Sequence, residues 1–206
     1  MADTRDILTL AEGRAAIDLG AQDTSHDTVL AAVITAMSYR FDDEFGPVVV
    51  RTITGETHDG GYDRVMLRYR PVSSVTTVTE YDGTTAQVLT AETNASKPDS
   101  AYLLERGGRS GVMRRRGGNA DARFAAGRQN VVVTYIAGRF ASTSTVDQRF
   151  KDAARVALVN RWQHYLTSID SADEYDVPRS SFPTFAIPRF VVEMLDAERQ
   201  FRGPIG

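Results

Sequence analysis

The sequence contains no cysteine. This absence excludes disulfide bonds, thiolate zinc sites, iron–sulfur clusters and cysteine nucleophiles. No apolar run approaches the roughly 18–20 residues of a transmembrane helix, and the first residues are polar, so we expect a soluble protein that contacts no membrane. Lysine is also scarce, since only Lys97 and Lys151 are lysine among the 24 Lys and Arg residues.

Motifs of catalysis are missing as well. The sequence has no GxSxG, no Walker A motif and no glycine-rich phosphate fingerprint between a strand and a helix. Residues 107–111 are rich in glycine but lack the lysine and the following helix of a phosphate loop. We therefore expect a protein that is not an enzyme and that holds no cofactor and no metal.

The composition is that of a folded protein. The chain has 206 residues, of which 42% are hydrophobic and 25% are charged, which fits one domain with a hydrophobic core. The formal net charge is −3, so no global attraction to nucleic acid is expected.

Apolar spacings of three and four residues predict three helices, over residues 7–19, 27–45 and 145–168. Between the last two, residues 47–138 change to the alternation of β-strands, with Gly and Pro between the strands. We expect an α+β fold: a small helical bundle made by the N-terminal helices and the long helix 145–168, with an inserted antiparallel β region and a C-terminal helical arm.

The C-terminal residues 168–206 are interpreted as a proline-rich linker and that arm. Pro178, Pro183 and Pro188 exclude one continuous helix. The arm has one apolar stripe with arginines at its rim, and we expect the stripe to pack on another protein: Phe190, Met194, Ala197 and Phe201, with Arg189 and Arg199. The alternative is a helix that folds back on Trp162 and Tyr165.

One acidic cluster could hold a metal. Glu56, His58, Asp59 and Asp63 lie within eight residues and would serve a metal-dependent hydrolase. The Asp-Gly-Gly between them is equally typical of a turn between strands, and the spacing matches neither a calcium loop nor HExxH.

Arginines are concentrated in residues 105–128. Seven arginines and two acidic residues give this segment a net charge of +5, whereas the rest of the chain has −8: Arg106, Arg109, Arg114, Arg115, Arg116, Arg123 and Arg128. Arginine binds phosphate or carboxylate through two N–H groups, so the segment could contact DNA, pair with a neighbouring subunit or form a solvated surface.

The order of these segments resembles a known protein family. The relevant stretches are LTLAEGRAAIDL, VLAAVITAMSYRFDDEFG, LRYRPVSSVTTVTEYDG and VVVTYIAG before a long helix. Together they resemble the head–tail adaptor (connector) proteins of long-tailed double-stranded-DNA bacteriophages. The C-terminal PTFAIPRFVVEMLDAER resembles the corresponding segment in adaptors of actinobacterial phages.

The resemblance implies a structural role and a set of partners. Residues 1–167 would be a single adaptor domain that assembles with itself into a ring, twelve-fold in that family. The ring would bind the portal protein on one side and a stopper or tail-completion protein on the other, completing the head after DNA packaging. Packaged DNA would pass through it without sequence-specific contacts, in the neck of a virion assembled in the bacterial cytoplasm. A stopper or tail terminator is the alternative within the same neck.

Overall fold

The computed structural model describes residues 3–20, 22–105, 111–117, 120–170 and 187–198, with only the backbone of 167–170 and 198. The chain divides into two compact units. The helical unit comprises Met1–Val49 and Phe140–Gly206, and the sheet unit comprises Val50–Arg139.

The helical unit contains four α-helices among its described residues: α1 (Leu10–Ala16), α2 (Asp27–Phe45), α3 (Gln148–Asp170) and α4 (Arg189–Met194). Helix α1 begins with a capping box, in which Thr9 Oγ1 accepts from the Glu12 backbone N–H at 3.2 Å and Glu12 Oε2 accepts from the Thr9 N–H at 2.8 Å. Because this box satisfies N–H groups that a helix leaves free at its start, it fixes the first turn.

Helices α2 and α3 form the core of this unit through residues at helical spacing. The buried side chains of the two helices are Leu30, Ile34, Met37, Phe41 and Phe45, and Phe150, Ala153, Ala154, Ala157, Leu158 and Trp162. Helix α1 approaches them closely at Gly13, where a Cβ would lie 2.6 Å from Ile34 Cδ1. A larger residue at position 13 would therefore force either the end of the Ile34 side chain or α1 itself to shift.

The sheet unit is built on eight strands: β1 (Arg51–His58), β2 (Arg64–Met66), β3 (Val72–Asp82), β4 (Thr85–Ala91), β5 (Ala101–Glu105), β6 (Gly111–Arg116), β7 (Ala120–Asp121) and β8 (Val131–Ala137). They lie in one sheet in the order β1-β8-β3-β4-β5-β6-β2, and β7 pairs with β6. Strand β8 alternates strictly, burying Val131, Val133, Tyr135 and Ala137 in a core separate from the helical one.

The expectation of a small helical bundle with an antiparallel insertion is wrong. An eight-stranded sheet with its own core dominates the described residues, beside four helices, so the fold is α+β only in a general sense. Strand β8 inserts between β1 and β3, and strands β5, β6 and β7 join the same sheet. The pair β4–β5 is also parallel. Local periodicity does not report pairing between distant segments, so it does not predict that these strands form one large sheet.

Candidate interaction surfaces

The arginine segment does not form one basic surface. Arg106 and Arg109 lie outside the described residues. Of the other five arginines, two are used inside the sheet unit and three are exposed. Arg114 and Arg115 are successive residues of β6, so their side chains leave the strand on opposite faces, and each meets a different carboxylate, Glu80 and Glu92.

Arg114 is buried against Glu80 of β3. Its Nε and Nη2 donate to Glu80 Oε1 at 3.0 and 2.8 Å, and its Nη1 donates to the carbonyl of Ala101 at 3.3 Å. The two side chains are only 10% and 6% exposed. Arg114 therefore holds β6 and β3 together and is not available to DNA.

Arg115 is engaged by two carboxylates. Its Nε lies 3.0 Å from Glu92 Oε2, and its Nη1 contacts Asp121. Lys97 binds the other oxygen of Glu92 at 2.8 Å. Hydrogen bonds from Lys97 and Arg115 lower the pKa of Glu92, so this ionised group anchors both cations at neutral pH.

Arg116, Arg123 and Arg128 are the exposed members of the segment. Within the described part of the chain, none of them has a carboxylate within ion-pair distance. Arg123 lines an open cleft of about 570 Å³ together with Tyr62 and Asp63. Among the arginines of this segment that the structure describes, these three are therefore available to contact phosphate or carboxylate groups of another molecule.

The structure brings together two residues of the acidic cluster, Glu56 and His58. Glu56 Oε2 accepts from the Tyr135 hydroxyl at 2.6 Å, while Glu56 Oε1 accepts from the Arg68 N–H and lies 2.9 Å from His58 Nε2. Burial opposes ionisation of Glu56, but these hydrogen bonds outweigh it and lower its pKa. Burial, followed by the bond to Glu56, raises the pKa of Tyr135.

Asp59 has a different side-chain partner, and Asp63 is held through its backbone. Asp59 Oδ1 accepts from the Gln129 N–H at 2.7 Å, and the backbone carbonyl of Asp63 accepts from the Arg114 N–H at 2.8 Å. Position 60, between these two acids, requires glycine, because a Cβ there would come within 1.9 Å of the Ala125 carbonyl oxygen. Over the ranges that the structure describes, no three His, Asp or Glu side chains form a metal-binding group.

Helix α4 has two different apolar faces. Val191 and Leu195 are 0% and 1% exposed and belong to the helical core. The helix therefore packs partly in the core of its own chain, which also contains Trp162, as in the alternative of a helix that folds back. Phe190 and Met194, by contrast, are 50% and 47% exposed, and Ala197 is exposed beside them. Phe201 and Arg199 lie outside the described residues, and Arg189 forms an exposed pair with Glu193.

Sequence reasoning missed the acidic partners Glu80 and Glu92. Glu80 follows Val78 by two residues on β3, so the strand alternation places it on the buried face. A carboxylate on the buried face of a strand indicates a buried ion pair, because a buried charge needs a cation.

In the described ranges, no helix is both long and apolar enough to span a membrane.

Comparison with known proteins shows a shared fold. No protein-family model and no curated protein matches the chain. Four chains of solved structures match. One belongs to the virion of a native gene transfer agent (GTA) particle, with 18% identity and a TM-score of 0.65, covering 97% of this chain and 93% of that one. Another belongs to the neck of an empty GTA particle computed with C6 symmetry. It has 17% identity and a TM-score of 0.57, and the match covers 97% of this chain and 93% of that one. A third belongs to the neck of a native GTA particle computed with C12 symmetry. It has 18% identity and a TM-score of 0.52, and the match covers 100% of this chain and 98% of that one. The likeness extends over nearly the whole length of each chain.

Proposed function

We propose that this chain is a structural subunit of the neck of a tailed phage or a phage-like particle, namely a head–tail adaptor. The observation that carries this proposal is the match of almost the entire chain to chains of GTA virion and neck structures. The ordered sequence resemblance to phage adaptors, including those of actinobacterial phages, supports the same role independently of that match.

The proposed assembly is a ring of identical subunits, twelve-fold as in the adaptor family. A head-to-tail interface that closes on itself is how one chain makes a ring. The symmetry of the neck structures that share this fold supports such an arrangement. In this proposal residues 1–167 provide the adaptor domain, and within residues 168–206 the exposed face of α4 contacts the neighbouring protein.

The partners follow from the position of an adaptor. The ring binds the portal on one side and a stopper or tail-completion protein on the other, and it completes the head after DNA packaging in the host cytoplasm. The exposed face of Phe190, Met194 and Ala197 is the proposed portal contact. Arg116, Arg123 and Arg128 are the arginines able to face DNA or a neighbouring subunit.

The deciding experiment is a mass measurement of the purified protein, alone and mixed with the portal of the same particle. We expect either a closed ring of the chain alone or a ring that forms only on the portal. A protein that stays monomeric and does not bind the portal would contradict the proposal. Binding to the assembled adaptor–portal complex, without binding to the portal itself, would instead identify a stopper.

A further inference from the structure

Strands β1, β8, β3 and β4 lie side by side and have one side in the sheet core and one side away from it. The alternation of β8 shows the two sides: Val131 and Val133 are buried in the core, whereas Val132 and Thr134 are half-buried on the opposite side. We call the side of these four strands that points away from the core the neutral sheet face.

One row of side chains crosses all four strands on the neutral sheet face. Thr57 of β1 pairs with Val132 of β8, Val132 pairs with Thr79 of β3, and Thr79 pairs with Val88 of β4. Val88 is 65% exposed, and Tyr81, two residues after Thr79 on the same side of β3, is 39% exposed. Apolar surface therefore contacts water at this end of the row.

Two further rows continue the face along the strands. Thr134 pairs with Thr77, and Ile136 lies between Thr52 and Ser74. Every position in the three rows is Thr, Ser, Val or Ile, although 25% of the residues of the chain are charged. The neutral sheet face therefore has no charged side chain in any of its three rows.

This composition is that of an interface centre. Threonine and serine alone would suit the solvated side of an antiparallel sheet, but Val88, Val132 and Ile136 are apolar and lie among them. Depletion of charged residues is the signal that distinguishes the buried centre of a protein–protein interface from the rest of a surface. The rows thus indicate a surface that is covered by another protein.

The area of the neutral sheet face fits that role. Four strands about 4.8 Å apart, with rows spread over about six residues at 3.3 Å each, give a projected area of about 400 Å². A standard interface buries about 800 Å² on each partner and surrounds its centre with a polar rim. The face therefore supplies about half of such an interface, which is the share expected of its centre.

The lack of charge also distinguishes between the partners of a neck protein. DNA is bound by cations that neutralise phosphates, and the three rows contain none. The proposed portal contact is the exposed face of α4, on the other unit. In a ring every subunit buries surface against copies of itself, and two of the neck structures that share this fold were computed with C6 and C12 symmetry.

We propose that the neutral sheet face is a surface through which this chain contacts a second copy of itself. This inference rests on the proposed function. The face of one subunit packs on a different surface of the next, because a head-to-tail contact is what closes a ring. The row that ends at Val88 forms the centre of this contact, and a charge placed there is left buried without a partner.

Single charges on the face test this proposal. Val88→Lys and Val88→Glu should each weaken ring formation at least tenfold, measured by mass photometry with and without the portal, because either sign of charge loses its water. Val88→Thr, which introduces the residue type of the adjacent rows, should assemble like the wild type, and so should Ala95→Lys in the exposed loop after β4. All variants should have the same melting temperature, since Val88 is largely exposed in the single chain. Assembly of either charged variant at the wild-type level would overturn the proposal.

The partner at the face is identified by photo-crosslinking. The full chain with benzoylphenylalanine at position 88 is irradiated alone and with the portal, and the products are weighed by mass spectrometry after denaturation. We expect a product of two copies of this chain, which is absent when the probe is at position 95. A product with the portal, or no product, would overturn the proposal. If the wild type forms no ring and binds no portal, the proposed function fails, whereas the product from the isolated chain still decides whether the face binds a second copy.

Discussion

Arg114 and Glu80 form a buried ion pair that joins two strands far apart in the chain. Two N–H groups of Arg114 donate to one oxygen of Glu80, and the other oxygen accepts from the Ala125 N–H at 3.3 Å. Every atom of this carboxylate is therefore engaged by β6 or by the loop before β8. The pair therefore makes Arg114, one of the arginines of the basic segment, part of the interior of the sheet unit.

Substitution of Arg114 should destabilise the sheet unit. Arg114→Gln leaves the Glu80 carboxylate buried without its cation, and breaking a buried pair in this way costs about 3–5 kcal/mol. Urea denaturation should show a loss of that size, while Arg116→Gln, an exposed neighbour on the same strand, should change the free energy of unfolding by no more than about 0.5 kcal/mol. Similar small effects for both variants would show that the pair contributes little.

The helices were the most predictable part of the fold. Helix α2 has the bounds that its apolar spacing predicts, and its buried apolar residues recur at that spacing: Leu30, Ile34, Met37, Phe41 and Phe45. Helix α1 begins later than predicted, because its capping box at Thr9 and Glu12 sets the first turn at Leu10. Helical spacing and caps are local, so one segment contains the information.

The sheet and the sites were less predictable because they depend on distant pairs. The predicted turn at residues 59–61 joins β1 to β2, but these strands pair with β8 and β6 and not with each other. Seven arginines in one segment indicate a basic surface, yet Glu80 and Glu92 neutralise two of them from other strands. In α4 the sequence pattern favours a stripe of Phe190 and Met194, whereas the adjacent stripe of Val191 and Leu195 enters the core. A short helix with apolar residues at consecutive positions presents two candidate stripes, and only packing selects one.

The hydrogen bonds on Glu56 should make stability fall in acid. The folded state lowers the pKa of Glu56 below its ordinary value of 4.5, so its contribution is present above pH 4.5 and is lost as the pH falls through the folded-state pKa. Urea denaturation at a series of pH values should show a smaller acid-induced loss in Glu56→Gln than in the wild type. Tyr135→Phe, which removes only the hydroxyl donor, should reduce the same loss; an unchanged pH dependence in both variants would contradict this assignment.

Substitutions on the two faces of α4 should have different effects, one on stability and the other on portal binding. Leu195→Ala empties a core position and should lower the free energy of unfolding by about 2–5 kcal/mol. Met194→Ala removes a side chain that is 47% exposed, so stability should change by no more than about 0.5 kcal/mol while the affinity for the portal falls. Denaturation and a pull-down with portal give both readouts. Unchanged portal binding in Met194→Ala and Phe190→Ala would remove this face from the interface.

The exposed arginines should control any contact with DNA. Arginines that bind phosphate release condensed counterions, so each lost contact should reduce the slope of log affinity against log salt by about 0.9. The triple Gln variant at Arg116, Arg123 and Arg128 should therefore bind double-stranded DNA more weakly and with a shallower salt dependence, without a change in melting temperature. The matched control is the triple Gln variant at Arg5, Arg40 and Arg149, which removes three positive charges from the helical unit. Each of these three arginines lies near an aspartate. Equal loss of DNA binding in both triple variants would indicate an effect of net charge alone, and no loss in either would show that the arginine segment does not contact DNA.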